Sequence, residues 1–372
     1  MRTSGLQKFL LAAFALACAA ALVTVWRPGP RTAGTRVPPL PKQALGVLWR
    51  VQMPAAPNTP CAFDGGWIAT DNKGGVTALS MEGRLVWRTS FSNHVYECGA
   101  AVMGNQAFLA SEDGRVTALR DRTGEVLWAR ETGACFRQAP LTGSVAGAPA
   151  IWLVSQSDGQ LFCLRATDGA VVWKSEPTNR CDGAPVMWRE SLAYGNCDGA
   201  VYVFDAATGA ARGSVKVGDD DQMAGGLLAT ADGRFVAGTR QGNLAVVNVA
   251  TLAREALVNV SQGEAFATPA EAFGGLIAMG AQEGDVTFWR RDGAQLQPAG
   301  RVPVGKPVDQ LLSCGESLFV LAGGSLCRFD AADRLAARLS VGDDVRGLAA
   351  GRAGRLACVA DGAVVCVIGG NP

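Results

Sequence analysis

Short runs of alternating apolar and polar residues recur from residue 45 onward, separated by turns that contain glycine. Asp113-Gly114 is followed by the alternating segment Arg-Val-Thr-Ala-Leu, and Thr123-Gly124 is followed by an apolar run that ends in Trp128. The same pattern recurs after Asp158-Gly159 and, without the tryptophan, after Asp198-Gly199. A period of two favours strands, and Asp-Gly favours a tight turn because glycine adopts positive φ readily.

The repeat extends over the whole alternating region. The glycine that opens the motif occurs at positions 74, 114, 159, 199, 242, 284, 324 and 362, a spacing of 38 to 45 residues. A period near 40 residues is typical of a four-stranded propeller blade, and blades must stack because one alone cannot bury its faces. The sequence therefore predicts an all-β protein, an eight-bladed β-propeller of four-stranded blades over residues 45–372.

The ends of this region predict how the ring closes. The last motif, Asp361-Gly362, is followed by one apolar strand and no further one, whereas residues 45–51 resemble an isolated fourth strand. We therefore expect the N-terminal strand to complete the eighth blade, which removes an exposed sheet edge. The first half of the ring is the more regular, because its outer strands carry tryptophan at positions 49, 87, 128 and 173.

The N-terminus carries a separate apolar segment. Residues 9–26 contain no charge, and a helix of this length would span about 27 Å, close to the thickness of a bilayer core. An uncleaved anchor accounts for the whole segment, a cleaved signal peptide would use a site such as Ala17-Cys18-Ala19, and lipidation of Cys18 is a third alternative. We expect a signal anchor or signal peptide over residues 1–26 that exports the rest of the chain. In its anchor form, residues 9–26 are expected to hold the protein in the inner membrane.

A proline-rich segment over residues 27–44 predicts a semi-extended linker between this helix and the propeller. Residues 1–44 hold six basic residues and no acidic one, so residues 45–372 hold 28 basic and 33 acidic residues. A mildly acidic body lacks the basic footprint that nucleic-acid binding requires. We therefore expect no nucleic-acid partner.

The paired Asp-Gly and Thr-Gly-x-x-x-Trp motifs resemble pyrroloquinoline-quinone repeats over residues 45–372. That resemblance implies one of two branches, the quinoprotein dehydrogenases or non-enzymatic scaffolds such as the BamB outer-membrane assembly lipoproteins. The length, blade number and expected export are similar to the BamB branch. The dehydrogenases are typically longer, and many carry a pair of adjacent cysteines, which this chain lacks.

His94 is the only histidine, which excludes multi-histidine metal sites and disfavours a Ser-His-Asp hydrolase. We therefore expect no catalysis, no cofactor and no metal, and a membrane-tethered scaffold that binds protein partners of the cell envelope. The alternatives are a quinone- or metal-dependent oxidoreductase and a sensor that binds a small ligand in the channel.

Ten of the eleven cysteines fall in the exported part, where disulfides persist. Cys181 and Cys197 flank a hairpin, and we predict that they pair, although a turn at Arg189-Glu190 places Asp182 opposite Cys197. Two reduced thiols are the alternative. Cys358 and Cys366 form a second possible pair across their hairpin.

Three more cysteines, at positions 61, 98 and 135, lie near innermost strands. They are expected to be small buried apolar residues, with a metal site or a cross-link between blades as the alternative.

Propeller loops that enter the innermost strands share one face with the Asp-Gly turns, and such loops commonly carry recognition. The candidate interaction residues on this face are His94, Tyr96, Glu97, Arg137, Arg180, Asp182, Asp219, Asp220 and Asp221. Clustered carboxylates at 219–221 could attract a cation or a basic partner, and solvated turns are the alternative.

Overall fold

A computed structural model describes residues 45–368 except positions 219, 224, 266–268, 272–274, 315–316 and 331–333. These residues form eight antiparallel sheets of four strands each, which confirms the predicted all-β, eight-bladed propeller. The predicted apolar helix and the linker over 27–44 lie outside the described residues. Within the described part of the chain, no helix has the length and apolar character needed to cross a bilayer.

The first four blades follow the chain, and the first strand of each blade is the innermost. Their strands are β2 Cys61–Phe63, β3 Gly66–Thr70, β4 Gly75–Ser80 and β5 Leu85–Ser90 in blade 1; β6 Ala101–Met103, β7 Gln106–Ala110, β8 Arg115–Arg120 and β9 Val126–Glu131 in blade 2; β10 Leu141–Val145, β11 Ala148–Val154, β12 Leu161–Arg165 and β13 Val171–Lys174 in blade 3; and β14 Val186–Trp188, β15 Ser191–Gly195, β16 Ala200–Asp205 and β17 Ala211–Lys216 in blade 4.

The remaining blades repeat this order, except that the fourth strand of blade 8 is β1, which precedes blade 1 in the sequence. Their strands are β18 Leu228–Ala229, β19 Arg234–Gly238, β20 Asn243–Asn248 and β21 Ala253–Asn259 in blade 5; β22 Ala270–Glu271, β23 Ile277–Gly280, β24 Asp285–Asp292 and β25 Gln295–Pro303 in blade 6; β26 Val308–Cys314, β27 Ser317–Ala322, β28 Ser325–Phe329 and β29 Leu335–Ser340 in blade 7; and β30 Val345–Ala350, β31 Arg355–Ala360, β32 Ala363–Ile368 and β1 Gly46–Gln52 in blade 8.

Strand β1 pairs antiparallel with β32, from Gly46 opposite Ile368 to Gln52 opposite Ala363. Arg50 of β1 also donates hydrogen bonds to the carbonyl oxygens of Val341 and Ala360. The first and last segments of the described chain therefore lie in one sheet.

The repeated glycines have the backbone geometry that the motif predicts. All eight have φ between +67° and +92°, a region that disfavours residues with a Cβ. A Cβ at Gly114 would lie 2.8 Å from the backbone nitrogen of Ala134, in the loop that enters blade 3. The motif glycine thus allows the turn of one blade to approach the loop of the next.

The hydrophobic core is divided into eight clusters, one at each junction between neighbouring blades. The cluster between blades 8 and 1 joins Trp67 and Leu79 to Val364 and Cys366. Second and third strands are buried on both faces, as in β3 and β4, because each blade packs against two neighbours. The ring is therefore stabilised by a repeated side-by-side contact.

Tryptophans of four outer strands connect consecutive blades in the same way. The indole N–H of Trp128 donates to the carbonyl oxygen of Ala166 at 2.8 Å, and its ring lies over Gly169 of blade 3. The same pairing of a donor tryptophan and a covered glycine recurs for Trp49 with Gly83, Trp87 with Gly124, and Trp173 with Gly209. The expectation that these tryptophans pack against the adjacent blade is confirmed.

Candidate interaction face

The turns between the second and third strands lie beside the loops that enter the first strands. In blade 3 the backbone N–H of Gln156 donates to the carbonyl of Cys135 at 2.7 Å, and in blade 4 that of Cys197 donates to Arg180 at 3.0 Å. Glu112 donates in the same way to Val95 in blade 2. We call this end of the ring the loop face, meaning these turns and entry loops of blades 1 to 5.

Asp182 is the most highly connected candidate residue. Its carboxylate accepts hydrogen bonds from Gln156 at 2.8 Å, from the Cys197 thiol at 3.3 Å and from the guanidinium of Arg180 at 3.1 to 3.3 Å. Its backbone carbonyl accepts from Gln138 at 2.6 Å. These contacts connect blade 3 to blade 4 and hold the loop in one conformation.

The electrostatics of Asp182 follow from these donors. Partial burial alone would raise the pKa of this carboxyl, but the hydrogen bonds from Gln156 and Arg180 outweigh it and leave the pKa below its ordinary value. The carboxylate is therefore charged at neutral pH and matched by Arg180, whose side chain is about half exposed. The pair presents a fixed local dipole to solvent.

His94 and Arg137 are held by acidic neighbours within blade 2. His94 Nδ1 lies 2.7 Å from Asp113 Oδ2, and the Arg137 guanidinium bonds Glu112, with Nε at 3.0 Å from the carboxylate oxygen. Burial opposes ionisation of Asp113, but hydrogen bonds from Ser111 and His94 outweigh it and lower its pKa. Both predicted contact residues lie on the loop face, each in a formed polar pair.

Two candidate residues are not available to a partner. Tyr96 is 1% exposed and packs between blades 1 and 2 with Phe63 and Trp87, because alternation along its segment directs it inward. Asp221 is 2% exposed, and its carboxylate accepts hydrogen bonds from its neighbours in blade 5, including Asn243 at 3.0 Å. Both side chains are buried within their loops and offer almost no exposed surface to a partner.

The other acidic candidates differ in their placement. Asp220 is exposed beside this loop, with φ of +53°. Asp219 lies outside the described residues, so the predicted carboxylate cluster contributes one described, exposed side chain, Asp220.

A cavity of about 530 Å³ lies between the innermost segments of blades 8, 1, 2 and 3. Most of its lining is small, including Cys61, Gly99 and Ala349, and its charged residues are Glu97 and Arg137. The structure thus brings these two predicted residues to one opening.

The structure does not bring together the two cysteines of the predicted disulfide, and Cys181 and Cys197 are both free thiols there. The register pairs Trp188 with Ser191, and continuing it places Asp182, rather than Cys181, opposite Cys197. Cys181 points into the core between blades 3 and 4, where it is fully buried and its thiol faces the carbonyl oxygens of Gly183 and Gly195. The one-residue offset sends the two sulfur atoms to different surroundings.

The same offset separates the second cysteine pair. Cys366 is opposite Ala357 and Cys358 is opposite Val365, so the two side chains point to opposite faces of the sheet. Cys358 packs against blade 7 and Cys366 against blade 1. Their pairing across the hairpin is therefore wrong.

Burial of Cys61 and Cys98 raises the pKa of their thiols, to about 11 and about 12. Among the residues that the structure describes, no group of three or more histidine, cysteine, aspartate or glutamate side chains is arranged to hold a metal ion. These thiols are protonated at neutral pH, which matches small apolar residues rather than thiolate ligands.

The sequence reasoning missed Glu112, Gln138 and Gln156, which hold Arg137 and Asp182 in place. The sequence does not show whether a glutamine side chain in a loop forms a hydrogen bond with the protein or with water. Only the alignment of adjacent blades shows that these side chains reach their partners.

Comparison with known proteins gives a consistent result at the level of family. The sequence matches the model of the family described as outer membrane protein assembly factor BamB over residues 46–146 and 112–254, which together cover more than half of the chain. The outer membrane protein assembly factor BamB of Yersinia pestis is 27% identical over 157 residues, 39% of this chain and 38% of that protein. The alignment thus spans about two fifths of the length of that relative.

Two solved structures show the same fold. BamB from Moraxella catarrhalis superposes with a TM-score of 0.70 at 20% identity, covering 87% of this chain and 97% of that one. A quinohemoprotein alcohol dehydrogenase from Pseudomonas putida HK5 has a TM-score of 0.65 at 14% identity, covering 88% of this chain and 77% of that one. At these identities the likeness shows the propeller architecture alone.

Proposed function

Because this chain belongs to the family of outer membrane protein assembly factor BamB, we propose that it is a non-catalytic scaffold that binds proteins of the cell envelope through its loop face. The relative from Yersinia pestis carries the name of an assembly factor rather than of an enzyme. Envelope protein assembly is the process in which such a scaffold would act.

The observation that supports this function most directly is the network centred on Asp182. Loops on a rigid scaffold bind with little ordering cost when their side chains are already fixed. Gln156, Arg180 and Cys197 fix Asp182, while Glu112 fixes Arg137, so the loop face presents charged groups in defined positions. The exposed Glu97 lines the cavity together with Arg137 and is a suitable site for a test.

The test is affinity purification of the full chain from mild-detergent extracts of its native membranes, with quantitative mass spectrometry. Glu97→Arg should deplete the enriched envelope proteins, because it reverses an exposed charge on the loop face. Glu82→Arg is the matched control, since Glu82 is also exposed but lies in the turn between β4 and β5 at the opposite end of the blade. Equal recovery of partners by both variants would contradict the role of the loop face.

The absence of catalysis is tested by adding pyrroloquinoline quinone and calcium to the purified chain. The scaffold function predicts no saturable quinone spectrum and no dye reduction. Turnover of an electron-accepting dye would instead favour the oxidoreductase alternative.

Attachment to a membrane by residues 9–26 is part of the same proposal. An uncleaved anchor retains those residues in the mature protein, whereas signal cleavage or lipidation at Cys18 removes residues before the processing site. Intact-mass measurement distinguishes these forms, and sucrose-gradient fractionation tests the prediction of the inner membrane. The family description refers to the outer membrane and gives no support to an inner-membrane location.

Closure of the ring by β1 also belongs to the proposal. Its support is the ladder between β1 and β32 and the Trp49 indole, which donates to Met81 of blade 1 at 2.8 Å. A chain that begins at residue 54 should lose cooperative unfolding, while one that begins at residue 45 should keep it. Identical unfolding curves would contradict a closing role.

A further inference from the structure

Exposed aliphatic side chains are concentrated on one half of the outer wall of the ring. We call the following set the apolar wall, with exposed fractions of 38% to 63%: Val47, Leu48, Leu85, Val86, Val126, Val171, Val172 and Ile368. Among the described residues with exposed large hydrophobic side chains, Val95 alone lies elsewhere. Apolar groups gathered in one region mark interaction surfaces, whereas scattered ones need no explanation.

A short sequence motif produces this wall. The fourth strands of blades 8, 1, 2 and 3 each place two aliphatic residues before tryptophan, as in Leu85-Val86-Trp87. The tryptophan packs on the next blade, whereas the two residues before it are exposed, except Leu127, which packs against the core between blades 2 and 3. The corresponding positions in blades 4 and 5 are Ala211-Arg212 and Arg254-Glu255. The fold therefore does not require aliphatic residues there.

Local strand geometry shows how this surface can bind. In blade 1, Leu85 is opposite Leu79 and Trp87 is opposite Ala78, so Val86 has no partner and forms a bulge. The same register shift occurs before the tryptophan in blades 8, 2 and 3. Bulges interrupt an edge and disfavour continuous backbone pairing with another strand. The apolar wall therefore offers side chains rather than a backbone ladder.

A row of cations borders the wall. Arg50, Arg88 and Lys174 directly follow the tryptophans, and Arg130 follows after one residue. Arg130 and Lys174 form no ion pair among the described residues, so their charge is available to a ligand. The complement is aliphatic and acidic. The linker over 27–44 is basic and has no acidic residue, so it does not match this surface.

The shape of the wall selects among possible ligands. Four consecutive blades of an eight-bladed ring turn through about 135° from the first to the last. A flat bilayer or a second convex ring could contact only part of that curve, whereas an extended chain can follow it. We propose that the apolar wall binds an extended polypeptide segment rich in aliphatic and acidic residues. This inference rests on the proposed scaffold function and adds a second surface with a defined class of partner.

The experiment measures fluorescence anisotropy of a fluorescein-labelled peptide that alternates leucine and glutamate, titrated with the full chain in phosphatidylcholine nanodiscs. Saturable binding is expected. The double variant Leu85→Ser/Val172→Ser should raise Kd at least about tenfold, because both side chains lose apolar contact with the peptide. These positions are exposed, so the fold should tolerate the changes. Val95→Ser is the matched control and should leave Kd within about twofold.

A second peptide, with lysine in place of glutamate, should bind more weakly, and added salt should weaken binding of the glutamate peptide. Equal Kd values for the wild type and the double variant would overturn the proposal. So would preference for the lysine peptide. Phosphatidylglycerol vesicles that bind the wild type but not the double variant, without peptide binding, would assign the wall to a lipid surface. Self-association abolished by the double variant, again without peptide binding, would assign it to a second copy.

The proposals for the loop face and for the apolar wall can be contradicted independently of each other. Glu97→Arg should retain peptide binding, because Glu97 lies on the loop face and outside the wall. Loss of native partners in Glu97→Arg with unchanged peptide affinity supports both proposals. Peptide binding at the wall without any loss of native partners in Glu97→Arg would contradict the loop-face function alone.

Discussion

The contact between Trp128 and Gly169 predicts a large effect from a single methyl group. Gly169 has φ of +69°, and a Cβ there would lie 2.5 Å from Cε3 and 2.6 Å from Cζ3 of the Trp128 ring. That ring is 8% exposed and is held by its hydrogen bond to Ala166, three residues before Gly169. A shift of the ring or of the turn would therefore disturb the packed junction between blades 2 and 3.

The expected magnitude is the sum of two separable costs. Left-handed backbone costs a residue with a Cβ about 1 to 2 kcal/mol, and forced overpacking typically costs about 1 to 3 kcal/mol more. Gly169→Ala should therefore reduce the free energy of unfolding by about 2 to 5 kcal/mol. Gly147→Ala in the same blade isolates the first cost, because Gly147 has φ of +82° but no atom within 4 Å of its Cβ position.

The assay is urea unfolding of both variants, followed by tryptophan fluorescence and by circular dichroism. Two probes are needed because a ring of repeats can unfold in more than one step. Gly169→Ala should lower the midpoint clearly more than Gly147→Ala does. If the two variants lost the same stability, the steric contact with Trp128 would contribute nothing and the reasoning would be refuted.

Three further predictions concern single residues. Trp128→Phe should cost about 1 to 3 kcal/mol, because it removes the hydrogen bond to Ala166 and part of the covered ring, and urea midpoints at unchanged slope measure it. The hydrogen bond from Arg212 lowers the pKa of Asp205 from 3.8 to about 2, so the stabilisation from this carboxylate is present above about pH 4 and is lost as the pH falls through 2. Asp205→Asn should therefore make the free energy of unfolding less dependent on pH over that interval. Identical acid-unfolding curves for the variant and the wild type would contradict this prediction. Burial raises the pKa of Cys181 to about 12, so iodoacetamide at pH 8 should label it only after unfolding; a linked Cys181–Cys197 peptide in mapping without reductant would show that the disulfide forms after all.

The loop face and the cysteines show where sequence reasoning reached its limit. Repeat spacing predicted that His94, Arg137 and Arg180 lie at one end of the ring, because position within a blade decides which end a residue occupies. It did not predict whether a loop side chain points outward, and Tyr96 and Asp221 are buried. The inward or outward orientation of a loop side chain depends on whether a neighbouring blade offers a cavity or a hydrogen-bond donor. The local sequence pattern contains no information about that neighbour.

Strand register is the second limit. An offset of one residue decides whether Cys181 faces Cys197 or the core between blades 3 and 4, because successive side chains point to opposite faces. The turn at Arg189-Glu190 sets that register, and the correct pairing of Asp182 with Cys197 was readable from the sequence. The core position of Cys181 required the packed neighbour.

The fold class, the blade number and the tryptophan junctions were determined by the sequence itself, since each follows from periodicity and turn chemistry that act within about 40 residues. Tertiary structure alone decided the Asp182 network and the cavity between four blades. The physical reason is that these features join residues from different blades. Their geometry depends on how neighbouring sheets pack, and a repeat pattern describes each sheet by itself.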